Sequence, residues 1–205
     1  MSTIDYYFYA PSPFTYLGHD LVRDVAKAHG ASLNYKPVDL MGVWKESGAV
    51  PPGQRPPIRQ AYRLIELERL AHFREVKLNP KPKHFPVDGA LADRCAIAIV
   101  EAGGDPHDFV LANSRSIWVE DEDISDEAVL RANLMATGHS ADQVISGANA
   151  PGAEEIRKRN THEAIAVNAP GVPAYVLKGE VFWGQDRIEH LDHMLKTDRA
   201  PILAT

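Results

Sequence analysis

Ser12 lies between Pro11 and Pro13, directly after an alternating aromatic run and directly before a helical pattern. Serine is a favoured helix N-cap and proline a favoured first helical residue, so taken alone the segment is typical of an ordinary helix start. The same geometry places a hydroxyl beside the unpaired N–H groups and the positive end of a helix dipole. Because such a position holds anions, including thiolates, Ser12 is a candidate for binding one.

Two further segments carry residues that could position a ligand. Pro173 follows Val172 at the start of an apolar run. A trans proline at the start of an edge strand is the ordinary interpretation, since only about 5–6% of X–Pro bonds are cis. Gln185 and Asp186 follow a second apolar run and a glycine, a pattern typical of a helix start with a capping acid. Neither segment predicts a function by itself.

All three segments lie at the ends of predicted strands. Period-two runs at 4–9 and 32–38 flank a helix that begins at Phe14 and ends before Gly30, so the chain opens as β-α-β. The middle of the chain has only helical patterns, at 58–75, 88–102, 106–117, 125–137, 140–148 and 152–167. Short strands at 174–177 and 181–183, joined by a glycine turn, precede a last helix that contains Ile188, Leu191 and Leu195. We therefore expect one mixed sheet assembled from both chain ends, with a helical block inserted between them.

The composition narrows the class of partner. The 205 residues have a net charge of −6 and no block of lysine and arginine, which argues against nucleic acid or an anionic membrane. No apolar run approaches the roughly 20 residues that cross a bilayer, and residues 1–9 lack the features of a secretory signal. Cys95 is the only cysteine and lies in an apolar run, so we expect a buried, inert thiol in a cytoplasmic protein. No pattern predicts a metal site.

Three motifs together resemble one known family. The segments YAPSPFTYLG (9–18), GVPAYV (171–176) and FWGQDRI (182–188), in this order, resemble those of 2-hydroxychromene-2-carboxylate isomerases. That family belongs to the kappa-class glutathione transferase branch of the DsbA-like thioredoxin superfamily. The resemblance implies an α/β protein with a thioredoxin-like fold, in which 1–42 and 166–205 form a discontinuous domain and 43–165 an all-helical insertion. It also implies a homodimer and a cis peptide before Pro173.

The resemblance assigns a role to each candidate residue. Ser12 would hydrogen-bond the sulfur of glutathione, and the backbone of Val172, before Pro173, would pair with the cysteinyl part. Gln185 and Asp186 would hold the γ-glutamyl end. Arg59, in place of a family lysine, would lie near the glycine carboxylate. Arginine suits a carboxylate because its planar group can donate two parallel hydrogen bonds.

The implied activity is a glutathione-dependent isomerisation of an aromatic keto acid, 2-hydroxychromene-2-carboxylate to trans-o-hydroxybenzylidenepyruvate, in aromatic catabolism. Two alternatives stay open: a kappa-class glutathione S-transferase with the same site, and a DsbA-like binding module in which Ser12 is only a helix cap. One departure bears on the substrate. Ala49 stands where the family has an asparagine, and extra residues follow it before Pro57.

Overall fold

The computed structural model describes residues 2–203, which contain one four-stranded mixed sheet. Its strands are β1 (Thr3–Phe8), β2 (Ser32–Pro37), β3 (Ala174–Leu177) and β4 (Glu180–Trp183). The order across the sheet is β2-β1-β3-β4, with β1 parallel to β2 and antiparallel to β3, and β3 antiparallel to β4. Both ends of the chain therefore contribute to one sheet, as the sequence predicts.

Nine α-helices lie within the described residues. They are α1 (Pro13–Ala28), α2 (Leu40–Ser47), α3 (Pro57–Phe73), α4 (Ala90–Glu101), α5 (His107–Trp118), α6 (Glu127–Ala136), α7 (Ala141–Asn149), α8 (Pro151–Ala166) and α9 (Ile188–Thr197). The predicted helices are confirmed to within about three residues at each end, whereas α2 was not predicted. Its eight residues are capped by Asp39, whose side chain accepts a hydrogen bond from the N–H of Met41, and a helix this short leaves little periodicity.

The strands place alternate side chains on two faces. Tyr6 and Phe8 of β1 are fully buried in an apolar cluster with Val22 of α1 and Leu191 of α9. Tyr7, between them, packs on the opposite face in a cluster to which α2 and α8 contribute. Because the side-chain period of a strand is two, the aromatic run at the start of the chain is buried on both faces of the central strand.

Helices α4–α7 share a further apolar cluster. Its members include the fully buried Trp118, Ile124 and Leu130, together with Ala10 and Tyr16 from the first β-α unit. The helical cluster is therefore in direct contact with the segment that carries Ser12. The division of the chain into domains at 42/43 and 165/166 stays a prediction.

A buried polar network joins α1 to the start of α5. The hydroxyl of Tyr6 donates to Nδ1 of His19 at 3.0 Å, and Nε2 of His19 donates to the carbonyl oxygen of His107 at 3.0 Å. The two imidazole rings stack with their centroids 4.0 Å apart. Burial, with a smaller contribution from His107, lowers the pKa of His19 to about 3, so His19 is neutral in the folded protein.

Candidate active site

Ser12 is the N-cap of α1. Its Oγ accepts a hydrogen bond from the backbone N–H of Thr15 at 3.3 Å, and its own N–H donates to the carbonyl oxygen of Tyr9 at 2.9 Å. The first turn of the helix carries no acidic residue. The capping role is therefore confirmed. Because Oγ accepts from Thr15, the hydroxyl proton remains available for donation to a ligand.

The loop before Ser12 is held by a buried ion pair. Oδ1 of Asp93 accepts a hydrogen bond from the N–H of Ala10 at 3.0 Å, and Oδ2 accepts one from Nε of Arg157 at 3.2 Å. Asp93 is fully buried. Burial raises the pKa of Asp93, while Arg157 and the Ala10 N–H favour the charged form and oppose that shift. Helices α4 and α8 thus fix the segment that carries Ser12.

Gly89 explains how closely this loop approaches α4. A Cβ atom at position 89 would lie 2.4 Å from Cδ of Pro11, so only glycine fits without displacing the loop. The hydroxyl of Tyr9 donates to the carbonyl oxygen of Val87 at 3.2 Å on the same side. Pro11, the proline before Ser12, is therefore packed closely against Gly89, and the loop is fixed by its surroundings as well as by its own residues.

One edge of the sheet carries Ser12, Val172–Pro173 and Gln185–Asp186. Tyr7 near the end of β1 pairs with Ala174 at the start of β3, and Ala174 pairs with Trp183 at the end of β4. The residues that follow β1, precede β3 and follow β4 must therefore lie at the same edge. The predicted site residues from both halves of the chain are brought to this edge.

Val172 is 9% exposed, and the peptide bond between it and Pro173 is cis. Among residues 2–203, no backbone hydrogen bond involves the N–H or the carbonyl oxygen of Val172. The carbonyl oxygen of Pro173, in contrast, accepts from the N–H of Gly184 at 2.8 Å. Val172 thus presents a free N–H and a free carbonyl oxygen beside the sheet edge, as pairing with an extended ligand requires.

Gln185 is fixed by Arg74, a residue that the sequence patterns did not single out. Nε of Arg74 donates to Oε1 of Gln185 at 3.0 Å, and Nη2 donates to the backbone oxygen of Gln185 at 3.2 Å. Since arginine only donates, the side-chain oxygen of Gln185 is occupied and its amide NH₂ is the group left to bind a ligand. Arg74 also pairs with Glu189 at 2.8 Å, which anchors it to α9.

Asp186 lies two residues after Gly184, a glycine with an unusual backbone conformation. Gly184 has φ of 101°, and a Cβ atom there would lie 2.5 Å from Oδ1 of Asp186. The Asp186 side chain is 57% exposed and pairs with Arg187 at 2.9 Å. It makes no helix-capping hydrogen bond, so the capping interpretation of Asp186 is wrong. A carboxylate that is neither buried nor used as a cap is accessible to a ligand.

A cavity of about 580 Å³ adjoins this edge. Three of the predicted residues line it, Arg59 from α3 together with Gln185 and Asp186, and Phe14 from the first turn of α1 lines it as well. Ser12, Val172 and Pro173 are outside its lining. The structure therefore gathers the two residues proposed for the γ-glutamyl end with Arg59, and it places them next to the helix that Ser12 caps.

Cys95 lies outside this site, and the site contains no predicted metal ligands. Cys95 is fully buried on α4, and burial raises the pKa of its thiol to about 12, so the prediction of a buried thiol is confirmed. Within residues 2–203, no group of three or more histidine, cysteine, aspartate or glutamate side chains is arranged to hold a metal ion. No helix in the same range is long and apolar enough to cross a membrane.

Known proteins resemble the chain over nearly its whole length. The family model of the DSBA-like thioredoxin domain matches residues 3–196. A 2-hydroxychromene-2-carboxylate isomerase from Sphingobium xenophagum is 31% identical over 196 residues, which cover 94% of this chain and 97% of the relative. Glutathione S-transferase kappa 1 from Homo sapiens is 26% identical over 213 residues, which cover 94% of this chain and 90% of the relative.

A solved structure extends the likeness to the fold. The structure of SeMet 2-hydroxychromene-2-carboxylate isomerase has a TM-score of 0.78 and 23% identity, and the match covers 95% of each chain. The four-stranded sheet and the helices between its two halves are thus features of a known architecture. The chain belongs to the DsbA-like thioredoxin family, in the branch of 2-hydroxychromene-2-carboxylate isomerases and kappa-class glutathione transferases.

Proposed function

We propose that this protein is a glutathione-dependent isomerase that interconverts 2-hydroxychromene-2-carboxylate and trans-o-hydroxybenzylidenepyruvate. The observation that carries the proposal is Ser12: a serine with an available proton caps α1 at the sheet edge, where the chain has no cysteine. A dithiol oxidoreductase needs thiols at that point, whereas a glutathione site needs a donor for the sulfur. The isomerase and kappa-class relatives support the same reading.

The chemistry of the site residues fits glutathione along its whole length. The free N–H and carbonyl oxygen of Val172 match the peptide groups of its cysteinyl part. The free amide of Gln185 and the accessible carboxylate of Asp186 match the carboxylate and ammonium of its γ-glutamyl end. Arg59, which lines the same cavity from α3, matches the glycine carboxylate.

Bound glutathione would supply a thiolate that adds reversibly to an electron-poor double bond and leaves again after rotation about the resulting single bond. The role of this chain is to hold the thiolate. A free thiol has a pKa near 8.5, so the site must favour the charged form at neutral pH. Ser12 donates a hydrogen bond to the sulfur, and the N-terminus of α1 contributes its dipole. No acidic residue in the first turn opposes that dipole.

The relatives also leave two other functions to be tested. A kappa-class transferase would use the same contacts but attach glutathione permanently to its second substrate, and the human relative supports this alternative. A binding module without catalysis would use Ser12 only as a cap. We further propose, from the family resemblance, that the isomerase acts in aromatic catabolism as a cytoplasmic homodimer.

Calorimetric titration with glutathione is the experiment that tests the proposal. We expect the wild type to bind, and we expect Arg59→Ala and Asp186→Ala each to weaken binding by about 1.5–3 kcal/mol, as for a hydrogen bond to a charged group. Asp142→Ala is the matched control, because that side chain is 91% exposed and lies on α7, outside the cavity. No binding by the wild type would contradict glutathione dependence.

Product analysis separates the isomerase from the transferase. With 2-hydroxychromene-2-carboxylate as substrate, the isomerase releases the rearranged acid and leaves the amount of free glutathione unchanged. The transferase consumes one glutathione for each molecule of conjugate. Chromatography of substrate, product and free thiol over a time course distinguishes these outcomes, and a stoichiometric loss of thiol would overturn the isomerase assignment.

A further inference from the structure

The cavity beside the sheet edge is lined by more arginines than the proposed position of glutathione requires. Three arginines line it: Arg55, which follows the 3-10 turn at Pro52–Gln54, and Arg59 and Arg63, one helical turn apart on α3. The two carboxylates of the lining are Glu66 and Asp186, and each is paired with another arginine, Arg69 and Arg187 respectively. The charges that face the cavity therefore do not cancel.

Arg55 and Arg63 are partly buried, yet neither forms an ion pair with a carboxylate among residues 2–203. Nε of Arg55 donates to the carbonyl oxygen of Val50 at 2.7 Å, and its guanidinium lies over the ring of Trp44, 5.9 Å from the centroid. The guanidinium of Arg63 lies 5.6 Å from the ring centroid of Phe85. These contacts orient both groups and leave most of their N–H donors without an acceptor among the described residues.

The electrostatics of the three arginines favour a bound anion. Burial, and to a smaller extent the charge of Arg59, lowers the pKa of Arg55. Burial, and then the charge of Arg55, lowers the pKa of Arg63. Three like charges that influence one another in a partly desolvated cavity raise the free energy of the unliganded protein, and an anion placed between them removes that cost.

Glutathione in the proposed position provides only one carboxylate for these three arginines, the glycine carboxylate at Arg59. Its other carboxylate and its ammonium are at Gln185 and Asp186. Arg55 and Arg63 are then left for an anion from another molecule. Phe14, Ile58 and Tyr62 line the same cavity and provide apolar surface for a planar body attached to that anion.

We propose that Arg55 and Arg63 form a carboxylate-binding subsite for the second substrate, which must then be an aromatic or conjugated carboxylic acid. The inference rests on the proposed function and adds to it two specificity-determining residues. Arg55 lies in the proline-rich segment between α2 and α3, and Arg63 lies on α3 itself, so two adjoining elements supply the subsite. A transferase for neutral electrophiles would have no use for these two charges.

The test compares a charged probe with a neutral one of the same shape. Calorimetric titration at constant ionic strength measures the affinity of trans-cinnamate and of cinnamamide, each with and without saturating glutathione. We expect the wild type to bind trans-cinnamate about tenfold or more tightly than cinnamamide, the effect of a charge-assisted hydrogen bond. Arg55→Met and Arg63→Met should each remove that preference and leave the affinity for cinnamamide unchanged.

Methionine keeps apolar length over Trp44 and Phe85, and thermal unfolding of each variant verifies that it is folded. Arg63→Lys is a second variant at the same position, and it should recover part of the affinity because it restores the charge but not the planar group. Arg115→Met is the matched control for the loss of one positive charge, since Arg115 is 54% exposed on α5 and lies outside the cavity.

The titrations also separate this inference from the proposed function. Equal affinity for the two probes, no binding of trans-cinnamate, or an unchanged preference in both methionine variants would overturn the subsite, whatever glutathione does. A loss of glutathione affinity in Arg55→Met or Arg63→Met would assign these arginines to the cofactor instead and would also overturn it. If the wild type fails to bind glutathione, the proposed function fails, while the cinnamate titration without glutathione still tests the subsite.

Discussion

Replacing Asp93 by alanine should strongly destabilise the protein. The substitution removes a fully buried carboxylate that pairs with Arg157 at 3.2 Å and accepts from the N–H of Ala10 at 3.0 Å. Breaking a buried ion pair by removing one partner costs about 3–5 kcal/mol, because the other charge stays buried. The unpaired N–H of Ala10, which is 1% exposed, adds about 1–3 kcal/mol.

Two neighbours reduce this cost. Arg157 keeps Glu154 at 3.7 Å and Asp39 at 3.9 Å, so its guanidinium retains partial compensation after the substitution. The two losses also overlap, because both arise from one carboxylate. We therefore expect a decrease of about 3–5 kcal/mol in the free energy of unfolding, out of about 5–15 kcal/mol for a typical protein. Urea denaturation followed by circular dichroism measures it.

A double-mutant cycle identifies the cause. Once Asp93 is alanine, Arg157→Met removes an inadequately paired buried charge, so the second substitution should cost much less than it does alone. Asp93→Asn keeps an acceptor for the N–H of Ala10 and should preserve turnover per folded molecule better than Asp93→Ala. Two results would refute the reasoning. One is a decrease of less than about 1 kcal/mol in the free energy of unfolding for Asp93→Ala, which is too small for a buried ion pair. The other is a double-mutant cycle in which the two costs simply add.

Three further predictions concern single side chains. Ser12→Ala should raise the pKa of bound glutathione and lower turnover by about 10²-fold or more, the range for losing one anion-stabilising donor; superimposable ultraviolet thiolate titrations of wild type and variant would contradict this. The pKa of His19 is lowered from 6.5 to about 3. Below pH 6.5 the unfolded chain therefore binds a proton that the folded protein excludes. The free energy of unfolding should fall as the pH falls, with His19 contributing up to about 1.4 kcal/mol per pH unit. Denaturation between pH 7 and 5 should show a flatter dependence for His19→Gln, and equal slopes would exclude His19 as the cause. Cys95→Ala should leave glutathione-dependent turnover unchanged, and the native Cys95 thiol should react slowly with a disulfide reagent; rapid labelling of folded protein would count against its burial.

The sequence predicted what depends on local pattern. The alternating run that became β1, the helix after Ser12 and the apolar run that buries Cys95 each follow from the spacing of apolar residues. Helix α2 was missed because its eight residues are too few to establish a period and because a proline-rich segment follows it. The sequence predicted one sheet built from both chain ends. It did not predict the order of the strands in that sheet, which is β2-β1-β3-β4 in the structure.

The residues that hold the site in place make contacts with residues far away in the chain. Such contacts leave no pattern in the local sequence. Arg74 reaches Gln185 across 111 positions of the chain, and Asp93 reaches Ala10 across 83. The one available signal was Asp93 itself, an acidic residue between the apolar positions Ala92 and Cys95 of α4, since a buried charge needs a partner. Neither its partner Arg157 nor its contact with Ala10 could be identified without the fold, because many arginines would have satisfied the same need.

The order of the strands has a consequence for biosynthesis. Strand β1 is central in the sheet, but β3, which covers one of its edges, comes after 136 residues that lie between Pro37 and Ala174. At the usual ribosomal rate these residues take roughly 7–27 s to synthesise. During that interval the backbone groups of β1 that later pair with β3 are unpaired, and Tyr6, Tyr7 and Phe8 lie on the same strand. This strand edge can therefore associate with other chains. The nascent protein therefore depends on the helical middle of the chain, or on a chaperone, to shield this strand until β3 emerges from the ribosome.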